Sequence, residues 1–217
     1  MSSALEQGLR RHLTAEQLAG LAAARVGFAG AGGLGSNCAM MLARSGLKHF
    51  VLVDGDVVDA SNLNRQHYFP RHLGQSKVLA LSEQLQELGD MRIDARRVWL
   101  DARTLPDLLA LAPIWVEALD DPATKRLFVE EALQAGIFCV SASGLAGWGG
   151  PPMQRRVLTH TDGSPRLILV GDFTSAVSDV LPPLAPRVMQ AAAMQADAVL
   201  EHILGDITSN SFRGTGF

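Results

Sequence analysis

The apolar run Arg25-Val26-Gly27-Phe28-Ala29 leads directly into Gly30-Ala31-Gly32-Gly33-Leu34-Gly35, and a helix-forming stretch from Gly35 to Ser45 follows. Few architectures accept a short buried strand that feeds a glycine turn and then a helix. The glycines permit a tight turn and the close approach of a phosphate or ribose. The helix start adds free amides and a partial positive charge. A second strand, His49 to Val53, ends in Asp54, about twenty residues further on, where a carboxylate can accept hydrogen bonds from ribose hydroxyls. Loop, helix and acid in this register point to a bound nucleotide. The bland alternative is a structural glycine turn with a capping aspartate, and NAD and FAD enzymes share the pattern with ATP users.

The remaining chain keeps the alternation. Leu5 to Ala24 reads as helix, divided near Thr14 by the capping-box run Thr14-Ala15-Glu16-Gln17. Helices are predicted over Gln75–Leu88, Thr104–Leu111 and from Asp121-Pro122 to Gly136, with Asp as cap and Pro in the first turn. Strands are predicted over Met91–Leu100, Pro113–Leu119 and Ile137–Ser141. Gly144 to Pro152 must be loop. Arg155 to Val170 suits a hairpin around Asp162-Gly163. Pro186 to Leu204 is a final alanine-rich helix, and Thr208 to Phe217 a loose tail. The expected fold class is α/β: a Rossmann-like, doubly wound, mostly parallel sheet with a C-terminal antiparallel extension. With 217 residues, a single nucleotide-binding domain over 1–217 is expected.

The polar connection from Asp56 to Gln75 is too long for a plain turn. It carries Asp59, Ser61-Asn62-Leu63-Asn64-Arg65-Gln66, and Lys77 follows on the next helix. Hydride transfer has no need for an Arg and a Lys delivered together beside a ribose site. Displacement at a triphosphate does, because negative charge grows on the α-phosphate and on the departing pyrophosphate. Arg offers a planar fork to phosphate oxygens and Lys a point charge. A solvated polar loop is the alternative.

The segments Gly30 to Ser36, Asp54-Gly55-Asp56 and Ser61 to Gln66, with Gly74 and Lys77, resemble the ThiF/MoeB/HesA family, the bacterial branch of the ubiquitin-activating enzyme superfamily. The similarity continues through Glu117-Ala118-Leu119-Asp120-Asp121, Ala142 to Gly147, Val170-Gly171-Asp172 and Leu184-Ala185-Pro186-Arg187-Val188. These later segments look most like a short, ThiF-type subgroup of thiamine biosynthesis.

The resemblance implies ATP-dependent adenylation of the C-terminal glycine carboxylate of a ubiquitin-like sulfur carrier ending in Gly-Gly. It implies that Gly30, Gly32, Gly33, Gly35, Asp54, Asp56, Asn62, Arg65, Gln66 and Lys77 hold ATP. Arg65, Lys77 and Asp120 would carry catalysis, and Asp120 would serve Mg²⁺. Independently, Mg²⁺ takes one or two carboxylates beside phosphates, and Asp121, before Pro122, suits a helix cap better than Asp120 does. The resemblance further implies a homodimer, with Arg10 or Arg11 reaching a partner's triphosphate.

The chain departs from relatives that carry two Cys-x-x-Cys zinc pairs. Its two cysteines, Cys38 and Cys139, cannot supply four thiolates, so no structural zinc of that type is expected. No cysteine follows Cys139, both cysteines read as core, and a separate persulfide donor is expected. The six histidines lack metal-ligand spacing, and His67 and His72 read as surface residues flanking the cationic loop. Trp148 either covers the site or packs. Met189 and Met194 read as core or dimer surface. A net charge of −3, 19% charged residues and no long apolar stretch predict a cytoplasmic protein with neither nucleic acid nor membrane as partner. Rival functions are an NAD- or FAD-dependent oxidoreductase, which leaves Asn62, Arg65 and Lys77 idle, an ATP-dependent tRNA-modifying relative, and a non-catalytic binding module.

Overall fold

The computed structural model describes residues 3–205. The expected tail from Thr208 lies outside the described residues. Two N-terminal helices, α1 (Ala4–Leu9) and α2 (Ala15–Ala23), precede the sheet. They divide where the sequence places the break: the Thr14 hydroxyl accepts from the Gln17 amide, and the Gln17 side chain answers to the Thr14 amide. Next come β1 (Arg25–Ala29), α3 (Gly33–Arg44), β2 (His49–Val53), α4 (Lys77–Gln86) and β3 (Arg92–Arg96). The second half runs α5 (Leu105–Leu109), β4 (Ile114–Glu117), α6 (Pro122–Gln134), β5 (Phe138–Ala142), β6 (Gln154–Thr159), β7 (Pro165–Gly171) and α7 (Ala185–Leu204).

The sheet order is β3-β2-β1-β4-β5-β7-β6. All neighbours are parallel except β6, which pairs antiparallel with β7 at the outer edge. The antiparallel extension is therefore a hairpin whose returning strand joins the parallel sheet. The chain winds from β1 outward to β3, then crosses back to place β4 on the other flank of β1. That reversal opens a crevice beyond the carboxyl ends of β1 and β4, where ligands bind in such sheets.

Period-two alternation sends side chains to two cores. Val26, Phe28, Phe50 and Leu52 pack with α3, α4 and α7 on one face. Ala29, Val51, Val53 and Trp115 pack beneath α5 and α6 on the other, against Phe128 of α6. With both faces covered, β1, β2, β4 and β5 read as nearly unbroken apolar runs.

Several boundaries differ from the sequence expectation by one to four residues, and three of them have a visible cause. Helix α3 starts at Gly33 rather than Gly35, because its packing overrides the poor helix propensity of glycine. Strand β3 stops at Arg96, where the chain turns back: the Val98 amide donates to the Arg96 carbonyl at 3.1 Å. Strand β4 ends at Glu117, because its own carboxylate accepts from the Leu119 amide at 2.7 Å and draws the chain into a turn. Among the described residues, no helix is long and apolar enough to cross a membrane.

Candidate functional site

The glycine loop closes over the ends of β1 and β4. Gly30 holds φ +101°, and a Cβ on it would lie 2.7 Å from the Ala118 carbonyl oxygen. A Cβ on Gly35 would lie 1.9 Å from the Gly30 carbonyl oxygen, so the first turn of α3 sits directly on the loop. No side chain caps α3 at Gly32, which leaves its first-turn amides to an anion.

Asp54, past the end of β2, fastens this loop. One carboxylate oxygen accepts from the Ala31 amide at 2.7 Å and the other from the Asp56 amide at 2.8 Å. A carboxylate has about four lone-pair sites, so capacity remains for ribose hydroxyls. Tyr68, buried, backs the loop: its hydroxyl lies 2.7 Å from the Ala31 carbonyl and 3.2 Å from the Lys77 carbonyl. Burial and then the Asp54 charge raise the Tyr68 pKa well above its ordinary value, so the phenol stays protonated as a donor.

The connection after β2 contains two 3-10 turns, Ala60–Asn62 and Pro70–His72. It folds back so that Arg65 and Gln66 lie over the glycines. A Cβ on Gly33 would meet the Arg65 Cγ at 3.5 Å, and one on Gly32 the Gln66 Nε2 at 3.8 Å. Asn37 on α3 locks this arrangement, donating to both the Gly33 carbonyl at 2.7 Å and the Arg65 carbonyl at 2.8 Å. The Gln66 Oε1 is buried without a hydrogen-bond partner, a cost that a bound donor would remove. Arg65 is half-buried. Burial lowers its pKa, and the charge of Asp120 across the crevice pulls it back up.

Lys77, buried at the start of α4, reaches Asp56 at 2.7 Å. Asp120 is exposed just past β4. Asp121 caps α6 through the Thr124 amide at 2.7 Å, as its place before Pro122 predicts. Of the expected site residues, the structure thus brings Gly30, Gly32, Gly33, Gly35, Arg65, Gln66 and Asp120 to one crevice, with Asp54, Asp56 and Lys77 along its β2 side. Asn62 turns its side-chain oxygen to the Asp59 amide at 3.0 Å, capping its own turn, and its side-chain amide nitrogen lies 3.5 Å from the Ser61 hydroxyl.

Several residues escaped the sequence reading. Asn37 is one. Another is Glu117, fully buried on β4. It accepts from Lys125 Nζ at 2.5 Å, from the Ser141 hydroxyl at 2.5 Å and from the Leu119 amide, so it sets the turn that carries Asp120. A glutamate ending the apolar run Ile114-Trp115-Val116 was the available signal, since a buried charge needs partners. His72 corrects the surface expectation for the histidines. It is fully buried, its Nδ1 accepts from the Phe69 amide at 3.1 Å, and burial lowers its pKa. His67 is half-buried and lies 3.0 Å from the Gln84 side-chain oxygen. Trp148 does not pack: it is exposed in the loop after β5. Arg10 is exposed and pairs with Glu6 on its own helix.

Both cysteines are buried and free, and burial raises each thiol pKa far above its ordinary value. A thiol-specific reagent is expected to find no reactive group in the native protein and two after denaturation. Reaction of Cys139 in the folded state would make it a candidate nucleophile.

A model of the ThiF family matches residues 7–215. The chain is 38% identical over 127 residues to the adenylyltransferase and sulfurtransferase uba4 of Aspergillus niger, a match covering 58% of this chain and 26% of that protein. It is 33% identical over 123 residues to the adenylyltransferase and sulfurtransferase MOCS3 of Dictyostelium discoideum, covering 56% of this chain and 29% of the relative. The matched region thus spans between a quarter and a third of these relatives. Among solved structures, E. coli tRNA N6-threonylcarbamoyladenosine dehydratase TcdA in complex with ATP superposes with a TM-score of 0.81 at 19% identity, covering 94% of this chain and 96% of the other. E. coli MccB with MccA-N7isoASN superposes at 0.65 and 20% identity, covering 86% of this chain and 58% of the other. These two likenesses establish the fold.

Proposed function

The chain belongs to the ThiF family, and from that premise we propose that it is an adenylyltransferase: it activates the C-terminal glycine carboxylate of a ubiquitin-like sulfur carrier with ATP, within a single domain over 1–217. The observation that carries this reading is Arg65 lying over the glycine loop, close enough to Asp120 to feel its charge. The relatives named as adenylyltransferases support it.

In the proposed reaction, a carboxylate oxygen of the carrier attacks the α-phosphorus. The bond from that phosphorus to its bridging oxygen breaks, and pyrophosphate leaves with the bond electrons. The acyl adenylate remains on the carrier. The carboxylate is ionised at neutral pH, so no general base is required. Catalysis is positioning and charge stabilisation. The glycine loop and Asp54 hold the adenosine moiety. The first-turn amides of α3 and Gln66 donate to phosphate oxygens. Arg65 meets the charge that develops between α-phosphorus and leaving group, and Lys77, oriented by Asp56, adds a second cation.

Among the described residues, no group of three or more His, Cys, Asp or Glu side chains could cage a metal. One exposed carboxylate within the electrostatic reach of Arg65 does fit Mg²⁺, which would complete its shell with phosphate oxygens and water. Asp120 is the residue that would hold it, and the ion would neutralise phosphate charge. Arg10 and Arg11 are the candidates for reaching a partner's site in a homodimer. The later motifs favour the thiamine-pathway carrier, with sulfur from a separate persulfide donor.

Pyrophosphate–ATP exchange tests the reading. Exchange is expected only when a carrier ending in Gly-Gly is present with Mg²⁺. Folded protein that supports no exchange with any such carrier, yet binds NADH or tRNA, would replace this function with one of its rivals.

A further inference from the structure

We propose that Trp99 is the platform on which the nucleotide base stacks, an assignment that rests on nucleotide binding at the glycine loop. The chain has three tryptophans. Trp115 is fully buried, whereas Trp99 is 67% exposed just past β3, at the same carboxyl edge of the sheet as Asp54. Its ring lies flat against Gly55, the residue after Asp54. A Cβ on Gly55 would fall 2.5 Å from the Trp99 Cδ2 and 2.6 Å from its Cε2, so only glycine lets the indole approach this closely. The backbone therefore covers one part of the ring, and the remainder faces solvent.

The turn that bears the ring is braced. The Thr104 hydroxyl donates to the Trp99 carbonyl at 3.2 Å, and Arg97 Nε donates to the Gly55 carbonyl at 3.4 Å. Asp101 accepts from the Arg103 and Thr104 amides, each at 2.9 Å. A large apolar ring held in place yet left open to water gains free energy when a second flat surface covers it. A ribose at Asp54 brings its base to Gly55, next to that ring. Stacking on an aromatic face accepts any base, but a purine covers more of it than a pyrimidine does. Trp99 therefore sets a preference for purine nucleotides by area rather than by hydrogen bonding.

Calorimetric titration of the whole protein with ATP, CTP and inorganic tripolyphosphate tests this. Trp99→Leu is expected to weaken ATP about tenfold and CTP less, and to leave tripolyphosphate, which has no base, unchanged. Trp99→Phe should retain most of the ATP affinity. In a Trp148→Phe background, ATP should quench the remaining exposed indole, and tripolyphosphate should not. Undiminished ATP binding by Trp99→Leu overturns the assignment while leaving nucleotide binding intact. Equal losses for ATP and tripolyphosphate also overturn it, because they mark a damaged site rather than a lost platform. A wild-type protein that binds no nucleotide removes both this assignment and the proposed function.

Discussion

Replacing Arg65 by alanine is expected to slow carrier-dependent pyrophosphate exchange about a thousandfold, with carrier affinity changed by less than about threefold. The expectation follows from how the side chain is held. Its Nη1 donates to the Ser61 carbonyl at 2.9 Å and to the Asn64 side-chain oxygen at 2.8 Å, which fixes one edge of the guanidinium. Asn64 in turn donates to the Pro183 carbonyl at 3.1 Å, and Asn37 fixes the Arg65 backbone. A cation pre-oriented in this way pays little reorganisation when charge builds at the α-phosphate, and a thousandfold corresponds to about 4 kcal/mol of barrier. Arg65→Lys keeps the charge and loses the planar fork, so it should recover only about tenfold. The Arg65 side chain is only half-buried, so thermal unfolding of the alanine variant should stay within a few degrees of wild type. Near-normal turnover would remove Arg65 from the mechanism, and a raised carrier KM with unchanged kcat would move it to carrier binding.

What the sequence exposes and what it hides divide along a physical line. Strands β1 and β2 match their expected bounds because both are buried on both faces, so the apolar run itself marks the strand. The α1–α2 break and the α6 cap are equally legible, since each depends on side chains within three residues of the amides they satisfy. The glycine turn and the place of Asp54 beside it are legible from spacing along the chain, whereas Arg65 is singled out by the resemblance of its motif. Glu117 and Asn37 are not legible in that way, because their partners are distant. Glu117 meets Lys125 and Ser141 from two other elements, and Asn37 meets Arg65 twenty-eight positions on. The apolar run before Glu117 marks it as a buried charge in need of partners, but no local pattern says which residues those are. Asn62 adds a local role that its motif does not announce: its side-chain oxygen closes a cap on its own turn.

The largest loss of stability is expected from Arg187→Leu. Arg187 stands in the first turn of α7 and donates to Asp172, with both side chains buried. It also donates to the Pro151 carbonyl at 3.2 Å. Asp172 accepts in addition from the Thr174 and Ser175 amides, each at 2.8 Å, and its own amide donates to the Gly144 carbonyl at 2.9 Å. The pair therefore joins three pieces of chain: the loop after β5, the start of the crossover after β7, and α7. Leucine at 187 would leave a buried carboxylate without its cation, which costs about 3–5 kcal/mol. Urea unfolding should show a lower midpoint with an unchanged slope. Adding Asp172→Asn should return part of the loss, because the orphaned charge is then gone; a shift below about 1 kcal/mol in the single variant would show that the amides alone hold Asp172. Acid unfolding gives an independent reading. Burial opposes ionisation of Asp172, but the Ser175 and Thr174 amides and hydroxyls outweigh it and hold the carboxyl at about 2, against an ordinary 3.8. A folded pKa below the unfolded one stabilises the protein fully above about pH 4, and the contribution fades as pH falls toward about 2. Asp172→Asn should flatten the stability profile in that window alone, and an unchanged acid limb would assign the acid sensitivity to other carboxylates.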